Sequence, residues 1–146
     1  MSEALIFEII KGNHSQLKKR NGRTARTGTI SFSTEAGNLK NIHTPRFSGL
    51  SKSRAIDISG SGAEGSPVLS LKVATKSNKP KASVRKIPLA SKNFRKSIKT
   101  IAGLTSGVHY RSDLSSIAAA RYAKVMKAHI VKAGIKKGSS VKAGRN

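Results

Sequence analysis

The sequence predicts an α+β fold, with a short N-terminal helix packed on a small antiparallel sheet, then a basic linker, two basic helices and an extended basic tail. Three observations predict it. Apolar and polar residues alternate around residues 55–59 and 68–74, the period of a half-buried strand. Beyond residue 91 the apolar spacing changes to three and four, the period of an amphipathic helix. The charge is also lopsided: after Glu64 the only acid is Asp113, while nineteen of the 29 Lys and Arg residues lie beyond that point.

The elements follow in order. Ser2 is placed as an N-cap, with Glu3 in the first turn where a negative charge suits the helix dipole. Leu5, Ile6, Phe7, Ile9 and Ile10 make Ser2–Lys11 a short apolar helix, although their β-branched content also fits a strand; Gly12 and Asn13 end it. Ser15–Arg20 is expected as a strand fading into the basic loop Lys18-Lys19-Arg20-Asn21-Gly22-Arg23, with Arg26 beyond. Thr29–Ser33 alternates, with Ile30 and Phe32 on one face. From Thr34 to Ser53 no period holds, and the segment is expected to be irregular, pinned by Leu39, Ile42, Phe47 and Leu50. Ala55–Ser59, through Ile56 and Ile58, and Val68–Ala74, through Leu69, Leu71 and Val73, complete a sheet with Gln16–Arg20 and Thr29–Ser33.

Between the last two strands lies Gly60-Ser61-Gly62-Ala63-Glu64-Gly65, formally a GxGxxG string. A dinucleotide site requires a helix after it, whereas Pro67 and a strand follow, so the string is a hairpin loop. Lys76–Lys86 carries Lys76, Lys79, Lys81, Arg85 and Lys86 around Pro80 without an acid, and is expected as an extended linker, disordered in isolation. Ser91 is the expected cap of a helix whose apolar face is Phe94, Ile98, Ile101 and Leu104, ending near Gly103 or Gly107; Lys92, Arg95, Lys96 and Lys99 take the other surface. Ser112 is the expected cap of a second helix, with Leu114, Ile117, Ala118, Tyr122 and Val125 as its stripe. With Gly134 as its stop, that helix reaches about 30 Å at 1.5 Å per residue. The organisation is thus a small α+β domain over 1–75, an extended basic linker over 76–89, two basic helices over 90–134, and a tail over 135–146 that is disordered or ordered by RNA.

Composition limits what such a chain does. Over 146 residues, 29 Lys and Arg face 6 Asp and Glu, for a formal charge of +23 and a pI near 11.4. So cationic a chain repels itself on compaction and calls for a polyanionic partner, of which nucleic acid is the commonest. Aromatics are only 4% of the residues, so the core is small and the rest depends on the partner for order. No cysteine is present, which excludes disulfide frameworks, thiol catalysis and cysteine-based zinc modules. Ala4–Ile10 is too short for a signal-peptide core and is interrupted by Glu8, and no run has the length of a membrane span, so an intracellular protein is expected.

Catalysis needs a convergent set of groups. His14, His43, His109 and His129 are scattered in sequence, the acids are few, and no phosphate-binding loop is present. No catalytic residue, metal, cofactor, small-molecule substrate or membrane partner is expected. Phosphate contact is the available chemistry, since Lys and Arg that neutralise phosphates release condensed counterions. The candidate phosphate-contacting residues are Lys18, Lys19, Arg20, Arg23, Arg46, Lys79, Lys81, Arg85, Arg95, Lys96, Arg111 and Arg121. Phe47 and Tyr110, set among basic residues, serve either as core pegs or as platforms for unpaired bases, with the core role favoured for Phe47 and neither for Tyr110. The aromatic strands and the GxxG loop of familiar RNA-reading modules are absent, so binding led by shape and phosphate is expected.

Several strings carry a family resemblance. Asn13-His14-Ser15-Gln16-Leu17-Lys18-Lys19-Arg20-Asn21 follows the apolar helix; FSTEAGNLKNIHTPRFSGL spans Phe32–Leu50; Lys79-Pro80 marks the linker; YRSDL spans Tyr110–Leu114. In this order, over roughly Glu3–Lys132, the chain resembles the eukaryote-specific large-subunit ribosomal protein twenty-eight family. The departures are Phe7 where the family usually has Trp, Ser112 where it has Pro, and a longer loop around Gly22–Gly28. The resemblance implies an α+β domain followed by helices, in a protein of the cytoplasmic ribosome with nucleolar passage during assembly. Its implied partners are large-subunit rRNA and neighbouring large-subunit ribosomal proteins. Two rivals remain, an architectural chromatin or DNA binder suggested by the Lys/Ala/Ser/Gly tail, and a ribosome-assembly factor, against which the missing cysteines and basic tail argue. A membrane-active cation ranks last, because the long helix has neither Trp nor Phe.

Overall fold

The computed structural model describes residues 2–19, 26, 30–62, 66–89 and 93–132. The chain runs α1 (Glu3–Ile10), β1 (Leu17–Lys19), β2 (Ser31–Ser33), β3 (Ile56–Ser59), β4 (Val68–Lys72), β5 (Val84–Pro88), α2 (Phe94–Ala102) and α3 (Ser115–Lys132). Short 3-10 turns occupy Ala74–Lys76 and Ser112–Leu114, and a π-helical turn at Gly103–Gly107 continues α2. The α+β class is the one expected. The strands nevertheless form two antiparallel sheets rather than one, β1-β2 and β3-β4-β5.

The larger sheet is where the alternating pattern leads. Ile56 pairs with Leu71 and Ile58 with Leu69, which puts all four on one face. Ile56, Ile58 and Leu69 are fully buried, against Ile101 of α2 and Ala118 and Tyr122 of α3. Phe94 stacks on Tyr122 with ring centroids 5.5 Å apart. The third strand, β5, comes from the second half of the expected linker and pairs with β4 through Leu69–Ile87, Ser70–Lys86 and Leu71–Arg85. Its sequence, VRKIP, shows no clean alternation because it is an edge strand, where charged side chains guard an open row of backbone groups. The strands that flank the 60–65 string pair antiparallel, and the Gly62 N–H donates to the Ser66 carbonyl at 3.0 Å; residues 63–65 lie outside the described residues.

The helix that packs on β3 is α3. Helix α1 docks beside β2, since its contact residue His43 donates its N–H to the Ser31 carbonyl at 2.9 Å. Phe7 is its one buried residue, against the His43 ring at 5.1 Å, while Leu5 and Ile9 stay exposed. Ser2 caps α1 as expected, its Oγ accepting from the Leu5 N–H at 3.3 Å. Two other caps differ. Asn93, not Ser91, caps α2 by accepting from the N–H groups of Arg95 and Lys96 at 3.1 and 3.4 Å; Ser91 lies outside the described residues. Ser112 opens the 3-10 turn before α3 rather than capping the helix, and Arg111 precedes it at φ 127°.

The aperiodic stretch 34–53 is ordered by a buried acid. The Glu35 carboxylate accepts from Asn38 Nδ2 at 3.1 Å and from Ser48 Oγ and the Leu50 N–H at 3.3 Å. A buried charge is tolerated only with such partners. Gly37 takes φ 87°, and Gly49 passes so close to Ala36 that an added Cβ would lie 2.1 Å from the Ala36 carbonyl oxygen. Leu39 is buried and Phe47 packs against the core, whereas Leu50 contributes its N–H and leaves its side chain exposed. Ile30 is exposed as well, and on β2 it is Ser33 that is buried.

Candidate nucleic-acid interface

The twelve candidate residues divide by what already engages them. Lys18 is exposed on β1, Lys19 belongs to the same strand, and Arg20 and Arg23 lie outside the described residues. Lys79 and Lys81 stand exposed on a compact turn closed by hydrogen bonds from the Lys79 N–H to the Lys76 carbonyl at 3.0 Å and from the Ala82 N–H to the Lys79 carbonyl at 2.9 Å. Ser83 Oγ donates to the Pro80 carbonyl at 2.8 Å in the same turn. The expected linker is therefore a turn and a strand, which hold these cations in place. Arg95 and Lys96 are exposed in the first turn of α2, with Lys99 one turn on.

Alternation along β5 sends its two cations to opposite faces. Arg85 sits opposite Leu71 and lines a cleft of about 380 Å³ with Arg54, Leu104 and Tyr110. Lys86 sits opposite Ser70 on the other face, where with Lys81 it borders a groove of about 560 Å³. Lys86 was not among the candidates, nor were Arg54, Lys40 and Lys124. The i,i+3 spacing of Arg121 and Lys124 on α3 was a signal for the last, since residues three apart share a helix face. Arg121 donates from Nε to the Ile58 carbonyl at 3.2 Å and borders a notch of about 270 Å³ with Lys40 and Lys124.

Arg111 and Arg46 serve the fold. Arg111 donates from Nε and Nη2 to the two Asp113 oxygens at 3.0 and 3.1 Å, and from Nη1 and Nη2 to the carbonyls of Arg54 and Arg46 at 3.1 and 2.9 Å. Arg46 donates to the Asp113 carbonyl at 3.0 Å and pairs with its carboxylate at 3.6 Å, keeping more than half of its side chain exposed. The Arg111 guanidinium holds the Asp113 carboxyl below the usual carboxylate range.

Tyr110, equally compatible with two roles in sequence, is a tether. Its hydroxyl donates to the Lys72 carbonyl, with the Ala55 carbonyl at 3.3 Å, and burial raises its pKa. Arg54 lies 5.8 Å from its ring centroid. Phe47 packs against the core, with Lys40 and Arg46 at 5.4 and 5.6 Å from its centroid. His14 and His43, far apart in sequence, meet with ring centroids at 5.1 Å.

The acids sharpen the electrostatics. Glu3 accepts from Ser53 Oγ and N–H at 2.6 and 2.8 Å and from Lys52 Nζ at 3.0 Å, which lowers its pKa to about 2. Glu8 pairs with Lys11, Glu35 is buried, and Asp113 is held by two arginines. Four of the six acids are thus engaged within the fold, Asp57 has no such partner among the described residues, and Glu64 lies outside them. Lys72 is the inward exception: its Nζ donates to the carbonyls of Gly49 and Lys52 at 2.9 and 2.7 Å, and burial lowers its pKa. Among the described residues, no three His, Asp or Glu side chains converge as metal ligands, and no helix is long and apolar enough to cross a membrane.

Known proteins match this chain along most of its length. The large ribosomal subunit protein eL28 of Schizosaccharomyces pombe is 29% identical over 86% of the chain and 91% of its own length. The protein of the same name from Dictyostelium discoideum is 30% identical over 88% of the chain and 89% of its own length. That of Caenorhabditis elegans is 34% identical over 60% of the chain and 72% of its own length. The model of the Ribosomal L28e protein family matches residues 5–128, from α1 through most of α3, and the chain belongs to that family.

Proposed function

We propose that this protein is a structural constituent of the large subunit of the cytoplasmic ribosome, not an enzyme, and that it stabilises large-subunit rRNA mainly through phosphate contacts. The observation that carries the reading is a ribosomal-family fold in which four of the six acids are engaged by neighbouring side chains or backbone, while Lys79, Lys81, Arg85, Arg95 and Lys96 stand exposed. Lys79, Lys81 and Arg85 on the turn and β5, and Arg95 and Lys96 on α2, are the phosphate contacts that the fold leaves available; Lys18, Lys19, Arg20, Arg23 and Arg121 extend the set. Arg46 and Arg111 position that surface. Neighbouring large-subunit proteins and nucleolar passage during assembly belong to the same reading.

Its test is the salt dependence of binding to purified large-subunit rRNA. Each phosphate contact contributes about 0.7–0.9 to the slope of log affinity against log salt. Replacing Lys79, Lys81 and Arg85 together by Ala is expected to weaken binding and to flatten the slope by about 2. An unchanged slope removes those residues from the interface, and a chain that fails to sediment with large subunits after a high-salt wash overturns the reading.

A further inference from the structure

The open face of the β3-β4-β5 sheet carries a feature that phosphate binding does not use. Strand register sets Asp57, Ser70 and Lys86 in one row across the three strands. Two strand spacings, roughly 10 Å, separate the Asp57 and Lys86 backbones, and their side chains form no ion pair. Asp57 is half-buried and, among the described residues, has no hydrogen-bond or ion-pair partner, unlike Glu3, Glu8, Glu35 and Asp113. It lines, with Lys81 and Lys86, the groove of about 560 Å³. That volume is in the range of small-ligand sites, about 300–1,000 Å³.

A carboxylate is an acceptor only and needs a donor to leave water. A row with an acceptor at one end and an ammonium at the other complements an unpaired nucleotide, whose phosphate and base edge are its two ends. Guanine is the base that offers two adjacent N–H donors, N1 and N2, on its Watson–Crick edge; adenine, cytosine and uracil offer one donor group each there. We propose that this groove is a binding subsite for one unpaired guanine nucleotide, with Asp57 accepting from N1–H and N2–H and with Lys81 and Lys86 on the flanking phosphates. The sheet has no aromatic on this face, so recognition comes from the base edge rather than from stacking. The subsite rests on the RNA-binding reading above and adds base discrimination to it.

Fluorescence anisotropy with the full chain and labelled single-stranded heptamers tests this. The probes are seven uridines whose central residue is replaced by guanosine, adenosine or inosine, which keeps N1–H but lacks the N2 amino group. Wild-type protein is expected to bind the guanosine heptamer roughly ten-fold more tightly than the adenosine one, with inosine between them. Asp57→Asn removes one acceptor and the negative charge; it is expected to bind all three alike and the adenosine heptamer at least as tightly as wild type. Asp57→Ser gives the same levelling, and Lys86→Ala weakens all three together. Among the described residues the Asp57 side chain has no hydrogen-bond or ion-pair partner, so the variants are expected to melt like wild type. Equal wild-type affinity for guanosine and adenosine, or a preference that survives both Asp57 variants, overturns the subsite. Salt-sensitive binding of all heptamers without preference does so while leaving the RNA reading intact. Loss of both heptamer and large-subunit rRNA binding brings down the RNA reading itself.

Discussion

Arg111 shows how one side chain turns a short string into a joint. Four of its N–H donors reach Asp113 and the carbonyls of Arg46 and Arg54, and its side chain is only 17% exposed. Its backbone sits at φ 127°, a region that penalises every residue with a Cβ, so the clamp is formed at a conformational cost. Arg111→Ala is therefore expected to lower stability by about 2 kcal/mol in urea denaturation, since it removes charge-assisted bonds but keeps the strain. Arg111→Gly removes the bonds and relieves the strain, and should cost less. Finding the glycine variant equal to or worse than the alanine one would refute this account. Sequence alone marked Tyr110–Leu114 as distinctive and offered Arg111 to phosphate. It carried no sign that the acceptors were carbonyls 57 and 65 residues away. The same limit hid the role of Tyr110, whose acceptors on Ala55 and Lys72 appear only when the chain folds back on itself.

At the scale of elements, regular patterns were legible and irregular ones were not. β3, β4, α2 and α3 announce themselves because their apolar residues repeat at the period of the structure they form. β5 did not, because an edge strand has one bonded neighbour and few buried side chains to leave a pattern; among its five residues Ile87 alone is half-buried. Helix α1 was legible as a helix, but its docking was not, since Glu3 anchors it to Lys52 and Ser53 some fifty residues on. That anchor has a pH signature. The Ser53 hydroxyl and N–H, followed by Lys52, lower Glu3 to about 2, whereas an unfolded glutamate titrates near 4.3. A depressed carboxyl contributes stability that is present above the unfolded value and lost as pH falls through the folded one. Glu3→Gln is expected to cost about 1 kcal/mol or less at neutral pH, because the carboxylate is 38% exposed and screened by solvent. The gap between the variant and wild type should close between about pH 5 and pH 2 in urea titrations. A gap independent of pH would contradict the assignment.

For the whole molecule, charge acts on stability and, in the proposed role, on binding, with opposite signs. A formal charge of +23 on 146 residues opposes compaction, and salt screens that repulsion. Raising NaCl from about 50 to 500 mM is expected to raise the melting temperature of the free chain by a few degrees while weakening its binding to rRNA. A melting temperature that falls over the same range would show that attractive ion pairs, such as Arg111–Asp113, outweigh the net repulsion. The sequence by itself determined the class of fold, the strongly cationic character and the family, because periodicity and composition are local sums that survive any arrangement of the chain. Only the tertiary structure decided which cations remain available, dividing Arg85 from Lys86 across a sheet and committing Arg111 to the fold. It also left Asp57, among the described residues, without a side-chain partner on the sheet face away from the core. Those outcomes depend on strand register and on acceptors far along the chain, and distance in space between such residues is a property that sequence spacing does not carry.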